Sequence, residues 1–188
     1  MDAIETNRLV LRNFRAGDAA DLFAYLHAPR ASCFLSMKLD DMAAAEADAI
    51  ARSQSDEHIA VCLKATGRLV GDLFAMPEAD TFSVGWNFNG DYAGQGFASE
   101  AARALFDHLF TVRDARRLYA YVEDHNVASQ RLCERLGMRQ EGLFKEFVSF
   151  TTDRNGDPVY ENTMQFAILR REWQEQHSAG HIESWAII

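Results

Sequence analysis

From His58 the chain adopts a period of two and keeps it through three consecutive segments, "HIAVCLKA", "LVGDLFA" and "TFSVGWNF". Such alternation describes half-buried strands, and the "TGR" between the first two makes them a hairpin. Neighbouring strands joined by short turns form the antiparallel part of a sheet. Directly after them comes "NGDYAGQGFASEAARALFDHLF", Asn89 to Phe110, in which glycines precede an amphipathic helix over about Ser99 to Phe110. Together the two features require a sheet with helices packed on it.

The remaining segments fit that frame. "RLVLRNF" alternates over Arg8 to Phe14 as a first strand, and "AGDAADLFAYLHA" follows as a helix with Asp18 at or near its N-cap. "LDDMAAAEADAIARSQ" reads as a second helix, with its alanines, Met42 and Ile50 on its apolar side and Asp41, Glu46 and Asp48 on its wet side. "LYAYV" is a strand, "NVASQRLCERLG" a helix stopped by Gly137, and "GLFKEFVSFTT" with "VYENTMQFAIL" a hairpin around Asn155-Gly156. The order predicts an α/β (α+β) fold with a mixed, mostly antiparallel central sheet flanked by helices. The expected division is one domain over residues 1–177 and a tail over 178–188, "SAGHIESWAII". Trp185 and Ile187 of that tail are expected to pack on the domain or on a neighbouring subunit.

Composition narrows the function classes. A net charge of −9 over 188 residues excludes a general affinity for nucleic acid, which needs a basic face. No apolar run reaches the roughly 18 residues of a membrane span, and the N-terminus lacks the layout of a signal peptide, so a cytoplasmic protein with no membrane partner is expected. Cys33, Cys62 and Cys133 have neither disulfide nor zinc-ligand spacing, so reduced thiols and no metal are expected.

Gly94 and Gly96 remove the Cβ atoms that would hold a ligand away from the backbone, and the helix after them presents unpaired N–H groups and a positive dipole end. A diphosphate fits such an entrance, although a simple turn and N-cap uses the same letters. "AGQGFA" lacks the ending of a P-loop, and it follows a meander rather than the first strand of a dinucleotide fold.

"YAGQGFASEA" followed by "NVASQRLCERLGMRQEG" resembles the two signature segments of the GCN5-related N-acetyltransferases, in particular the branch similar to ribosomal-protein N-terminal acetyltransferases of the RimJ/RimL type. The opening "ETNRLVLRNF", the hairpin "GRLVGDL" and the ending "ILRREW" extend the resemblance over nearly the whole chain. It implies the acyl-coenzyme A acyltransferase fold of that family and acetyl-coenzyme A as cosubstrate. The backbone of Gly94, Gln95, Gly96, Phe97, Ala98 and Ser99 would hold the pyrophosphate, with Ala93 standing where the family pattern has Gln or Arg. The strand end Trp86, Asn87 and Phe88 would run beside the pantetheine arm, and a backbone N–H there would polarise the thioester carbonyl. Asn126 aligns with an asparagine that contacts the cofactor. Cys133 stands where many relatives carry a tyrosine that protonates the leaving thiolate. Ser129, on the same helix face, is therefore the candidate donor, and Ser129 with Asn126 are the candidate catalytic residues.

The implied reaction is attack of a primary amine on the thioester within a ternary complex, the amine belonging to a protein N-terminus or to a small molecule. Glu100, Glu141 and Glu146 are candidate bases, beside a structural role for Glu100 and proton loss to water. His125, next to Asn126, is expected to be structural. A catalytically silent acyl-coenzyme A sensor is the alternative function, and the chain is expected to be a monomer or homodimer. The acceptor pocket is expected between residues 27–54 and the hairpin 147–160, using Phe34, Phe147, Phe150 and Tyr160 with Asp40, Asp41, Asp153 and Asp157.

Overall fold

A computed structural model describes residues 1–182, with side chains through residue 177. Its eight strands are β1 (Ile4–Glu5), β2 (Leu9–Asn13), β3 (His58–Leu63), β4 (Leu69–Glu78), β5 (Thr81–Phe88), β6 (Arg117–Glu123), β7 (Arg139–Thr152) and β8 (Pro158–Leu169). They form one sheet in the order β1-β2-β3-β4-β5-β6-β8-β7. Every pairing is antiparallel except that of β5 with β6.

The helices are α1 (Ala19–Leu26), α2 (Met42–Ser53), α3 (Phe97–Thr111), α4 (Val127–Arg135) and α5 (Arg170–Ile182). One face of the sheet packs against α3 and α4 through a core that includes Leu73, Phe82, Val84, Leu118, Phe106 and Leu132. The other face carries a smaller core in which Leu22 and Leu26 of α1 and Ala45 and Ala49 of α2 meet Ala60, Cys62 and Leu69. Alternation along each strand thus assigns successive side chains to two different layers. Among the described residues no helix is long and apolar enough to cross a membrane.

One expectation is corrected, in part. Met42 and Ile50 are exposed, at 41% and 47%; of the expected apolar side Ala45 and Ala49 are buried, and Arg52 joins them. Arg52 goes inside because Asp72 waits there: its Nη1 lies 3.0 Å from Asp72 Oδ2, its Nε bonds Asp48 at 2.9 Å, and Tyr25 donates to Asp72 Oδ1 at 2.7 Å. Asp18 stands at the N-cap of α1 as expected, although its carboxylate makes no cap bond to that helix and instead accepts from the Arg15 amide at 2.8 Å and from both Arg12 Nη atoms at 2.8 Å. After β8 the chain turns into α5, which begins at Arg170 and runs to Ile182. Trp173 anchors it, its ring packing tilted against Phe106 and Phe110 at 5.6 and 6.0 Å and its indole N–H donating to Asp107 at 2.7 Å. Trp185 and Ile187 lie outside the described residues.

Candidate active site

β5 and β6 touch over only three residue pairs, Thr81–Arg117, Phe82–Leu118 and Ser83–Tyr119. Beyond Ser83 each strand keeps its outer partner, β5 with β4 as far as Phe88 and β6 with β8 as far as Glu123, while the two diverge from each other. The sheet therefore opens in its middle, leaving the facing strand edges without a ladder partner. An edge of this kind accepts an extended chain carrying amide groups.

A cavity of about 480 Å³ fills the opening. Its lining comes from both faces. Trp86, packed toward the α3 side, meets Asn126 and Ser129 of α4, whereas Phe74, Met76, Tyr121, Glu123 and Thr163 belong to the opposite face by strand alternation. Gly85 is part of this wall because the Phe74 ring covers it across the β4–β5 pair; a Cβ there would lie 2.2 Å from that ring. The 3-10 turn Ser32–Met37 and the β7 residues Phe147, Val148 and Phe150 close the outer side.

Two of the expected residues meet directly. The Trp86 indole Nε1 donates to Ser129 Oγ at 3.1 Å, so the serine oxygen is held as an acceptor and its own proton is directed elsewhere. Asn126 is the N-cap of α4, accepting the Ser129 amide at 3.2 Å, and its Nδ2 lies 3.5 Å from Glu123 Oε2. Cys133 is not at the cavity. It is fully buried in the α3–α4 core, and burial pushes its thiol up to about 12.

Asn87 and Phe88 continue β5 toward the glycine loop, away from the cavity lining. In that loop Gly94 and Gly96 both take positive φ, +76° and +80°, conformations that a side chain would strain. Gly96 is the N-cap of α3 and offers no side-chain cap, and a Cβ at Gly94 would meet nothing within 4 Å. Gly94, Gln95 and Gly96 are exposed, Phe97 is buried, and Ala98 and Ser99 are half-buried. The result is an open entrance with bare amides at a fifteen-residue helix.

Arg8 and Arg135 were missed by sequence reasoning. Arg8 donates to the Gln95 carbonyl at 2.9 Å and lies over the Phe97 ring at 4.6 Å, and Arg135 reaches Ser99 Oγ at 3.3 Å. Two distant stretches of chain thus brace the glycine loop.

The carboxylates considered as bases are engaged elsewhere. Burial opposes ionisation of Glu100, but bonds from Thr6 and from the Arg8 amide and guanidinium outweigh it and hold the carboxyl below its ordinary value. Glu141 is held down by Arg117 and Arg139 on the outer sheet, and Glu146 is exposed. His125 is half out in solvent, near Asp124 and Glu161. The carboxylate that lines the cavity is Glu123, only 6% exposed.

Of the expected acceptor wall, Phe34, Phe147 and Phe150 are in place. Asp40, Asp41, Asp153 and Asp157 are exposed and outside the lining, as is Tyr160. Asp41 caps α2 by accepting the Ala44 amide at 2.8 Å, and Asp153 organises the β7–β8 turn through the amides of Asn155 and Asp157. His58 also lines the cavity; burial, and Arg52 behind it, lower its pKa. Cys33 lies there as a thiol whose pKa burial and neighbouring Glu123 raise.

Residues 8–139 match the family described as Acetyltransferase (GNAT) domain. An uncharacterized N-acetyltransferase of Bacillus subtilis, YnaD, is 28% identical over 177 residues, covering 90% of this chain and 98% of that protein. Spermidine N(1)-acetyltransferase of Escherichia coli K12 is 31% identical over 88 residues, 46% of this chain and 44% of that protein. A crystal structure of a GNAT-family acetyltransferase from Bacillus anthracis superimposes with a TM-score of 0.81 at 24% identity, covering 90% of this chain and 99% of the other. A sheet split between its two parallel strands, with a bare helix entrance beside the split, is the fold of an acyltransferase. The chain belongs to the GNAT acetyltransferase family and is an acetyltransferase.

Proposed function

We propose that the protein transfers an acetyl group from acetyl-coenzyme A to a primary amine within a ternary complex, as a RimJ/RimL-like member of its family acting in the cytoplasm. The observation that carries this reading is the cavity through the split sheet, which joins Ser129 and Asn126 of one face to Glu123 and the aromatic wall of the other. Donor and acceptor can therefore approach the same point from opposite sides.

The residues present fit the donor. The amides after Gly94 and Gly96 suit its diphosphate, and the unpaired edges of β5 and β6 suit the amides of its pantetheine arm. When bound, it supplies an activated acyl group as a thioester. The chain's own residues do the rest. Backbone N–H groups near Trp86 to Phe88 stabilise the carbonyl oxygen as charge develops on it. Trp86 fixes the Ser129 oxygen, which directs the hydroxyl proton to the departing thiolate, and the serine regains a proton from the nitrogen, which sheds its second one as the amide forms. Glu123 holds the incoming ammonium at the gap, and the proton passes from it to water.

The test is thiol release from acetyl-coenzyme A, followed with a mixed panel of primary amines and peptides. Amine-dependent release, with an N-acetylated product, is expected. Tight binding of acetyl-coenzyme A with no turnover on any acceptor would instead identify a sensor.

A further inference from the structure

The cavity's chemistry is lopsided, and that restricts the acceptor. Phe34, Phe74, Phe147 and Phe150 face it together with Met37 and Met76, whereas among the described residues Glu123 is the carboxylate of the lining and neither lysine nor arginine contributes. Nearby Glu161 accepts the Ser32 hydroxyl at 2.7 Å, which fastens the turn Ser32–Met37 to β8 and closes the outer wall. A second ammonium would thus be buried against rings and thioethers without a partner, and so would a carboxylate.

Two buried polar atoms complete the outline. Among the described residues, His58 Nδ1 and Thr163 Oγ1 are the buried side-chain polar atoms with no hydrogen-bond partner, and both residues line this cavity. Thr163 is 4% exposed and pairs with Glu123 across β6 and β8, so it sits at the gap end. His58 opens β3, three strands from β6 and four from β8 in the sheet order, at the far end. Buried polar atoms are seldom left unpaired, and two at opposite ends of one apolar chamber mark where a ligand's polar groups belong.

Resting on the acetyltransferase reading above, we propose that the acceptor is a small primary monoamine with an aromatic or similarly apolar body, its amine at Glu123 and Thr163 and a hydrogen-bonding group reaching His58. A hydroxyl suits the far end because it both donates and accepts, and so meets His58 Nδ1 in either ring tautomer. The volume of about 480 Å³, which the acceptor shares with the thioester end of the donor, suits a small molecule. A polyamine such as the substrate named for the Escherichia coli relative needs more carboxylates than this lining offers.

The experiment measures kcat/KM of the full chain with acetyl-coenzyme A and five probes: 2-phenylethylamine, tyramine, spermidine, phenylalanine and a peptide with N-terminal phenylalanine. The two arylalkylamines are expected to exceed spermidine and phenylalanine by roughly a hundredfold, since each of those buries an unpaired charge. Tyramine is expected to exceed 2-phenylethylamine roughly tenfold, an advantage lost in His58→Leu. Thr163→Val should raise KM for both arylalkylamines and leave their ratio unchanged. Preference for spermidine, phenylalanine or the peptide would overturn the monoamine assignment while leaving acetyl transfer standing. A tyramine advantage that survives His58→Leu would remove His58 from the site. Acetyl-coenzyme A binding with none of the amines acetylated would overturn the transfer reading, and the monoamine assignment with it.

Discussion

Replacing Ser129 by alanine isolates the group assigned to the leaving thiolate. The side chain projects from the first turn of α4, and its oxygen is occupied by the Trp86 N–H at 3.1 Å, so the single hydroxyl proton is the part free to act. One preorganised donor to developing negative charge is worth about 2 to 4 kcal/mol. At 1.36 kcal/mol per tenfold, turnover should fall by about thirtyfold to a thousandfold. Affinity for coenzyme A should change by no more than a few fold, because the contact matures only as the carbon–sulfur bond breaks. Single-turnover thiol release reads the first quantity and calorimetry the second. Two companions sharpen the result. Trp86→Phe keeps the hydroxyl but frees its orientation, so it should lose less. Cys133→Ala removes a buried core sulfur and should lower stability without changing turnover per folded molecule. If Ser129→Ala keeps near-normal turnover, the thiolate takes its proton from water and the serine only packs.

Further outcomes follow from other parts of the fold. Gly96→Val forces a branched residue into φ +80° beside the Arg8 guanidinium, and coenzyme A affinity by calorimetry should drop by roughly tenfold or more. Arg52→Met leaves the buried Asp72 without its cationic partner, so urea denaturation should show a loss of about 3 to 5 kcal/mol, much of it recovered when Asp72→Asn is added. Trp173→Ala should cost about 3 to 5 kcal/mol by the same assay, because α5 loses its contact with Phe106 and Phe110. The depressed Glu100 carboxyl gives stability that is present above its ordinary value of 4.5 and lost as pH falls through the lower folded value. Glu100→Gln should therefore flatten the acid limb of a stability profile below about pH 4.5 and weaken the hold of Arg8 on the glycine loop.

Local patterns carried most of the fold in the sequence. Strands β3 to β5 declare themselves by alternation, α3 by its glycine entrance, and α4 by an asparagine cap and a glycine stop, because each depends on neighbours in the chain. Features set by distant partners were not legible. Arg52 reads as a solvent-facing arginine until Asp72, twenty residues on, is known to lie beneath it. Glu123, His58 and Thr163 are single letters in three strands, and only the sheet order and the gap between β5 and β6 bring them to one cavity. The acids Asp40, Asp41, Asp153 and Asp157 were attractive as a cationic pocket, yet capping and turn-making account for two of them and exposure for all four. Glu123 was overlooked because one buried carboxylate at a strand end carries no periodic signal.

Direct transfer across the split sheet is tested most plainly by initial rates over a matrix of acetyl-coenzyme A and amine concentrations. The cavity admits both reactants to one point, so reciprocal plots should intersect, the pattern of a ternary complex. Parallel lines would mean that an acetyl group first rests on the enzyme, with the Cys33 thiol at the cavity wall as its evident carrier, and would contradict the account.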